Sequence, residues 1–136
     1  MDSEELLYRQ VLPAWVQDGR PSGQAFTPTK KDKYKLSVDR ESLITAEGAF
    51  FLHTDGRNLR SAGTWAITVA QCAQKTLGCF SDPLASPPEL VPDPAHCLVD
   101  FEPLSKSRRA MAGSFLATAA HARGCIFSAP QTEQRG

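Results

Sequence analysis

The chain carries no Gly-rich phosphate loop, no Cys-x-x-Cys pair, no long apolar run and no net charge. Each absence removes a class. Without a G-x-G-x-x-G or Walker pattern, a P-loop or dinucleotide-binding Rossmann domain lacks the backbone that cradles its phosphates. The four cysteines (Cys72, Cys79, Cys97 and Cys125) lack the close spacing of a zinc site and read as buried thiols acting as small hydrophobes. No metal and no cofactor is therefore expected. No segment approaches the roughly 18 apolar residues a membrane span needs. The acidic start, Met1-Asp2-Ser3-Glu4-Glu5, is unlike a secretory signal. A cytoplasmic protein with no membrane partner is the expectation. Fifteen Lys and Arg against fifteen Asp and Glu argue against a polybasic nucleic-acid binder. Neither an internal repeat nor a helix-turn-helix pattern stands out.

What is present suits one domain. The 136 residues are 41% hydrophobic, enough for one core and hardly for two. Residues 1–129 are expected to form it, with 130–136 as a polar, frayed tail. The charge balance conceals a contrast. Residues 80–102 hold Asp82, Glu89, Asp93, Asp100 and Glu102 with no Lys or Arg, and the basic Lys106, Arg108 and Arg109 follow with no acid between them.

Periodicity predicts an α+β fold: a small mixed or antiparallel sheet of about four or five strands packed with about three helices. Leu6 to Val11 reads as an opening strand. Tyr34 to Asp39 alternates, with Leu36 and Val38 toward the core and Lys35, Ser37 and Asp39 on the other face. Thr45 is placed to cap a short helix over 46–53. A strand ends near Ile67, and the Thr68-Val69-Ala70-Gln71 capping box starts a helix expected to run to Leu77, with Gly78 after it. Five prolines between Ser81 and Pro94 forbid regular structure and mark a surface loop or flap. His96 to Phe101 is a strand. Lys106 to Arg123 is a helix capped by Ser105 and closed by Gly124, its apolar stripe read as Met111, Phe115, Thr118 and Ala122. Cys125 to Phe127 suits an edge strand.

Four places carry chemistry. His96 opens a strand after the Pro-rich loop, a rim position suited to proton transfer. Arg9 sits inside an apolar strand, so it requires a carboxylate, an array of carbonyls or a ligand anion. Lys106, Ser107 and Arg109 lie at a helix start, where free N–H groups and basic side chains together favour an anion. Arg20 and Ser22 would join Arg9 if the chain folds back. His96 and Arg9 are the catalytic candidates; Lys106, Ser107, Arg109, Arg20 and Ser22 are the ligand-binding ones. His53 and His121 read as helix-terminal or surface residues.

The expected function is binding, with a capacity for processing, of a phosphate-bearing ligand such as a nucleotide or RNA. The alternative is a noncatalytic module whose acidic Pro-rich loop docks a companion protein or a second copy in a homodimer. A third reading is structural, with the acidic loop folded over the basic helix start.

Leu7-Tyr8-Arg9, Pro21-Ser22-Gly23-Gln24-Ala25-Phe26, Leu36-Ser37-Val38, Pro94-Ala95-His96 and Lys106-Ser107-Arg108-Arg109 give the chain a likeness to known sequences. In these segments it resembles an uncharacterised family of small bacterial proteins, over nearly its full length. Gly23 departs from that family's second serine. The resemblance implies one small bacterial domain and no particular reaction. A looser likeness, to ADP-ribosyltransferase-like toxin domains, would cast Arg9 as the catalytic arginine, with Tyr34 and Glu102 in the other parts.

Overall fold

In a computed structural model, which describes residues 1–84 and 91–130, the chain forms an α+β domain built on a six-stranded antiparallel sheet. The strands are β1 (Leu6–Val11), β4 (Lys35–Arg40), β5 (Gly63–Thr68), β6 (Gly78–Ser81), β7 (His96–Asp100) and β8 (Phe127–Ser128), in the order β6-β7-β4-β1-β5-β8. A separate hairpin joins β2 (Val16–Gln17) to β3 (Arg20–Pro21). Its turn is Asp18-Gly19, both at positive φ, the pairing that a two-residue hairpin favours.

Helices cover both faces. On one, α3 (Lys106–Arg123) packs with the 3₁₀ turn Gly23–Phe26 over Leu7, Val11, Leu36, Val38, Trp65, Ile67, Cys97 and Val99. The contact is close because α3 presents small residues; a Cβ on Gly113 would collide with Thr27 Oγ1. On the other face, α1 (Ala46–Phe51) packs Ala46 and Ala49 against Tyr8 and Ala66. Thr45 caps α1, accepting from Gly48 N at 2.9 Å, and a π-helical turn, Leu52–Gly56, follows.

Several sequence expectations shift. The buried face of α3 is Ala112, Gly113, Leu116, Ala117 and Ala120, one step round from the predicted stripe, and Met111 and Thr118 face solvent. Small residues let the helix approach the sheet more closely than Met111 would allow. Helix α2 (Val69–Gln74) stops short of Leu77. Thr76 takes a left-handed φ of 58°, which turns Leu77 into the core and frees Gly78–Ser81 to pair with β7 as a sixth strand. The segment Gly23–Phe26 forms a 3₁₀ turn in which Ala25 and Phe26 both bury. The capping box at Thr68 and Gln71 forms as expected, at 3.0 and 2.9 Å. Pro87, Pro88 and Glu89 of the predicted flap, and the tail beyond residue 130, lie outside the described residues.

The start of the chain is tied down by an ion pair. Buried Glu5 receives Arg40 Nη2 at 3.1 Å and Nε at 3.3 Å, and also Ser42 N at 3.1 Å and Oγ at 2.6 Å. Burial pushes the Glu5 pKa upward, but these donors outweigh it and hold the carboxyl below its ordinary 4.5. Its stabilising contribution is therefore present above that value and lost as the pH falls through the lowered pKa. Glu5→Ala is expected to cost about 3 kcal/mol in urea unfolding at neutral pH, the lower end for a broken buried pair. The lower end applies because the Arg40 side chain keeps 22% of its exposure. The difference from the parent chain should shrink on acidification.

Candidate functional site

The face of the sheet under α1 carries a row of polar side chains. His96 of β7 lies opposite Asp39 of β4, and Asp39 lies opposite Tyr8 of β1. Side chains directly opposite across antiparallel strands stand about 5 Å apart at Cβ, so the three are neighbours. Ordinary alternation would leave such a row in water. Here Ala49 of α1, Leu52 and His53 of the π turn, and Asp93 stand over it and border a half-open cavity of about 300 Å³. Tyr8, Asp39, His96, Asp93, His53 and Arg57 supply its polar lining, and Ala49, Leu52, Leu59 and Leu84 its apolar walls.

Arg9 reaches this cavity from the opposite face. Strands β1 and β4 pair only at Leu7↔Arg40 and Tyr8↔Asp39 and then separate. The guanidinium fills the opening: Nε donates to Ala25 O at 2.8 Å, Nη1 to Ser37 O at 3.1 Å, and the group lies 5.6 Å from the Trp15 ring centre. Of the three partners the sequence allows, the carbonyl array is the one found. Burial lowers the Arg9 pKa to about 10, with the charge of Asp32 opposing, so the group stays cationic at neutral pH.

Arg57 stands at the other side of the cavity, its Nη2 donating to Val91 O at 3.0 Å. Among the described residues neither Arg9 nor Arg57 forms an ion pair with a carboxylate. Two positive charges thus meet one small space, each held by backbone carbonyls that do not neutralise it. Burial also pushes His53 below its ordinary pKa; a backbone bond at Arg60 opposes this, and the charges of Arg9 and Arg57 add to it. His53 is therefore neutral at pH 7, and it faces the cavity rather than bulk solvent as expected from sequence.

Asp39 is the most perturbed acid. Its Oδ1 is shut off from solvent with no donor among the described residues, and the carboxyl of buried Asp93 lies within hydrogen-bonding reach. Burial, the bond to Asp93 and the charge of Asp93 raise the Asp39 pKa to about 8, against a smaller opposing effect from Arg57. A proton on Asp39 lets the two carboxyls share a hydrogen bond instead of repelling each other. Asp93 is fixed in turn by Ala95 N, which donates to its Oδ1 at 3.1 Å.

His96 is oriented by Asp82. Its Nδ1 lies 3.0 Å from the Asp82 carbonyl and 3.1 Å from Asp82 Oδ2. Both are acceptors, which assigns the ring proton to Nδ1 and leaves Nε2 as the basic nitrogen of the neutral ring. Asp100 instead pairs with Lys35, as does Glu102.

The basic pocket expected from Arg9, His96, Lys106 and Arg109 is divided. Arg9 and His96 share the cavity; Lys106, Ser107 and Arg109 do not line it. Arg109 folds back at the start of α3, donating to Leu104 O at 2.6 Å and stacking 3.8 Å from the Tyr34 ring centre. Ser107 Oγ is 3.4 Å from Ser105 Oγ, and Lys106 is exposed. Arg20 borders a separate hollow of about 220 Å³ beside His121, and Ser22 Oγ is buried without a partner. Tyr34 and Glu102 are likewise outside the cavity that Arg9 enters.

No family model, curated protein or solved structure matches this chain. The site is thus read from its own geometry. Among the described residues no three His, Cys, Asp or Glu side chains gather closely enough to hold a metal ion, and no helix is long and apolar enough to cross a membrane. Sequence reading reached Arg9 and His96 but missed Asp39, Asp93, Asp82 and Arg57. Asp39 had the right alternation, and only the cover over its face was hidden.

The proton on Asp39 has a thermodynamic signature. The folded chain holds it more tightly than the unfolded chain, so this stabilisation is fully present below the ordinary value of 3.8 and drains away as the pH rises toward 8. Asp39→Asn keeps a donor without the titration. It is expected to stabilise the chain at pH 8 by at least about 1 kcal/mol, the worth of a tenfold change in proton affinity, with little effect at pH 4. Thermal unfolding at the two pH values reads this out.

Proposed function

We propose that this chain binds a small phosphate-bearing molecule, of nucleoside monophosphate or sugar phosphate size, in the cavity between the sheet and α1. The observation that carries the reading is the pair Arg9 and Arg57. Both line one cavity, both are fixed through backbone carbonyls, and neither has a carboxylate partner among the described residues. A half-buried guanidinium without a carboxylate partner favours an anion, and phosphate accepts its charge-assisted bonds well. A protonated Asp39 adds a neutral donor where a carboxylate would repel the ligand. The apolar walls from Leu52, Leu59 and Leu84 suit the ligand's uncharged part.

Size narrows the class. At about 300 Å³ the cavity sits at the lower end of the range for ligand pockets, room for one small molecule and not for a polynucleotide. The interaction reading gains less. Of the acidic loop, Asp82 and Asp93 turn to His96 and Asp39, and Glu89 lies outside the described residues.

Calorimetric titration of inorganic phosphate and of adenosine monophosphate into the full chain tests the proposal. Binding should weaken with salt, and Arg57→Leu should lower affinity by about 10-fold or more, the worth of a hydrogen bond to a charged group. Lys106→Ala, at the start of α3, should leave affinity within about twofold. The reverse pattern, loss in Lys106→Ala and none in Arg57→Leu, would move the anion to the helix start and sink the cavity reading.

A further inference from the structure

Phosphate binding needs the two arginines; it does not need an acid and a base placed side by side. Yet Asp39 and His96 are direct partners across β4 and β7, on the same face and in the same cavity. Their environments push them into complementary states. Asp39 is half-buried beside the Asp93 carboxyl, and its Oδ1 is shut off from solvent without a partner among the described residues. His96 has its Nδ1 committed to Asp82, which fixes the ring and leaves Nε2 unprotonated in the neutral tautomer. A held proton beside a free basic nitrogen is the arrangement from which acid and base roles are read.

We propose that the cavity hydrolyses a small phosphate monoester of an alcohol, with His96 as general base, Asp39 as general acid and Asp82 as the residue that positions His96. This rests on the reading that the cavity takes a phosphate-bearing ligand. His96 Nε2 removes a proton from a water molecule as its oxygen bonds to phosphorus. The bond from phosphorus to the alcohol oxygen breaks, its electron pair stays on that oxygen, and Asp39 delivers its proton there. Ester and water become inorganic phosphate and free alcohol, with nothing oxidised or reduced. The proton on His96 returns to Asp39 through solvent as the products leave.

The arginines fit the same chemistry. Among the described residues, Arg9 keeps Nη2 without a partner, and Arg57 keeps Nε and Nη1. A phosphate monoester carries three non-bridging oxygens, where a carboxylate has two, and guanidinium donors aimed at a transferring phosphoryl group stabilise the charge it develops. The ionisable groups facing Asp39 come from every neighbouring element: Tyr8 from β1, His53 from the π turn, Arg57 after it, Asp93 from the loop and His96 from β7. Activity should therefore fall on the alkaline side as Asp39 loses its proton, toward about pH 8.

The test is phosphate release by the full chain from two probes, glycerol phosphate and p-nitrophenyl phosphate, with inorganic phosphate binding measured on the same samples. An alcohol leaves poorly without a proton, whereas nitrophenolate leaves well. Asp39→Asn should lower kcat on glycerol phosphate at least about 10-fold more than on p-nitrophenyl phosphate. His96→Gln should lower kcat on both by about 100-fold, and both variants should keep phosphate affinity within about threefold. Asp82→Asn should lower kcat on both esters while leaving KM in place, a split that a merely structural role would not give. A parent chain that binds phosphate but releases none from either ester overturns the hydrolytic proposal and leaves the binding site standing. Equal losses on both esters in Asp39→Asn, with binding retained, overturn its role as the acid. If phosphate does not bind the parent chain at all, the binding reading itself fails.

Discussion

The cover on the second face of the sheet is the constraint from which the rest follows. An antiparallel sheet can bury one face and leave the other in water. Here α1, the π turn and Asp93 stand over the polar face, so Tyr8, Asp39 and His96 line a half-open cavity. Desolvation then acts on Tyr8, Arg9, Asp39 and His53. Asp39 retains a proton, His53 loses one, and the arginines must hold their charge through carbonyl oxygens. None of this requires unusual residues. It requires ordinary polar residues placed on a face that the fold does not leave open.

The short pairing between β1 and β4 is the second element. A full ladder between them would close the sheet and leave Arg9 among the apolar residues of α3. Because only two residue pairs form, the guanidinium crosses the opening and binds a carbonyl from each side, Ala25 on the 3₁₀ turn and Ser37 on β4. One side chain thus repairs the interrupted sheet and delivers a positive charge to the cavity. Its stacking distance to Trp15 and its two hydrogen bonds fix the position of that charge. Substituting Arg9 would confound structure with binding, which makes Arg57 the cleaner residue for probing the ligand.

Much of the fold was legible because local signals and burial agreed. Ser105 and Gly124 bracket α3 as read, Thr68 and Gln71 form their capping box, and the opening strand spans Leu6–Val11. The failures occurred where tertiary demands overrode local pattern. Leu77 left its predicted helix to enter the core, and α3 rotated toward its smallest residues to approach Thr27. The site was legible only in part. Arg9 stood out because a charge inside an apolar strand needs an explanation, and His96 because it begins a strand after a Pro-rich loop. Asp39 gave no such signal, since an acid on the polar phase of an alternating strand is the ordinary case. Arg57 and Asp93 come from irregular segments, and their meeting depends on how the loops fold back.

The acid–base reading of the cavity turns on the sheet face under α1 holding Asp39 in its protonated form at neutral pH, beside the cationic and basic groups of the same space. The most direct measurement is an NMR titration of the Asp39 side-chain carboxyl carbon in the full chain, assigned through Asp39→Asn. A midpoint near 8 is expected, far above the ordinary 3.8. A midpoint close to 3.8 would contradict it, because Asp39 would then be an ordinary carboxylate at neutral pH.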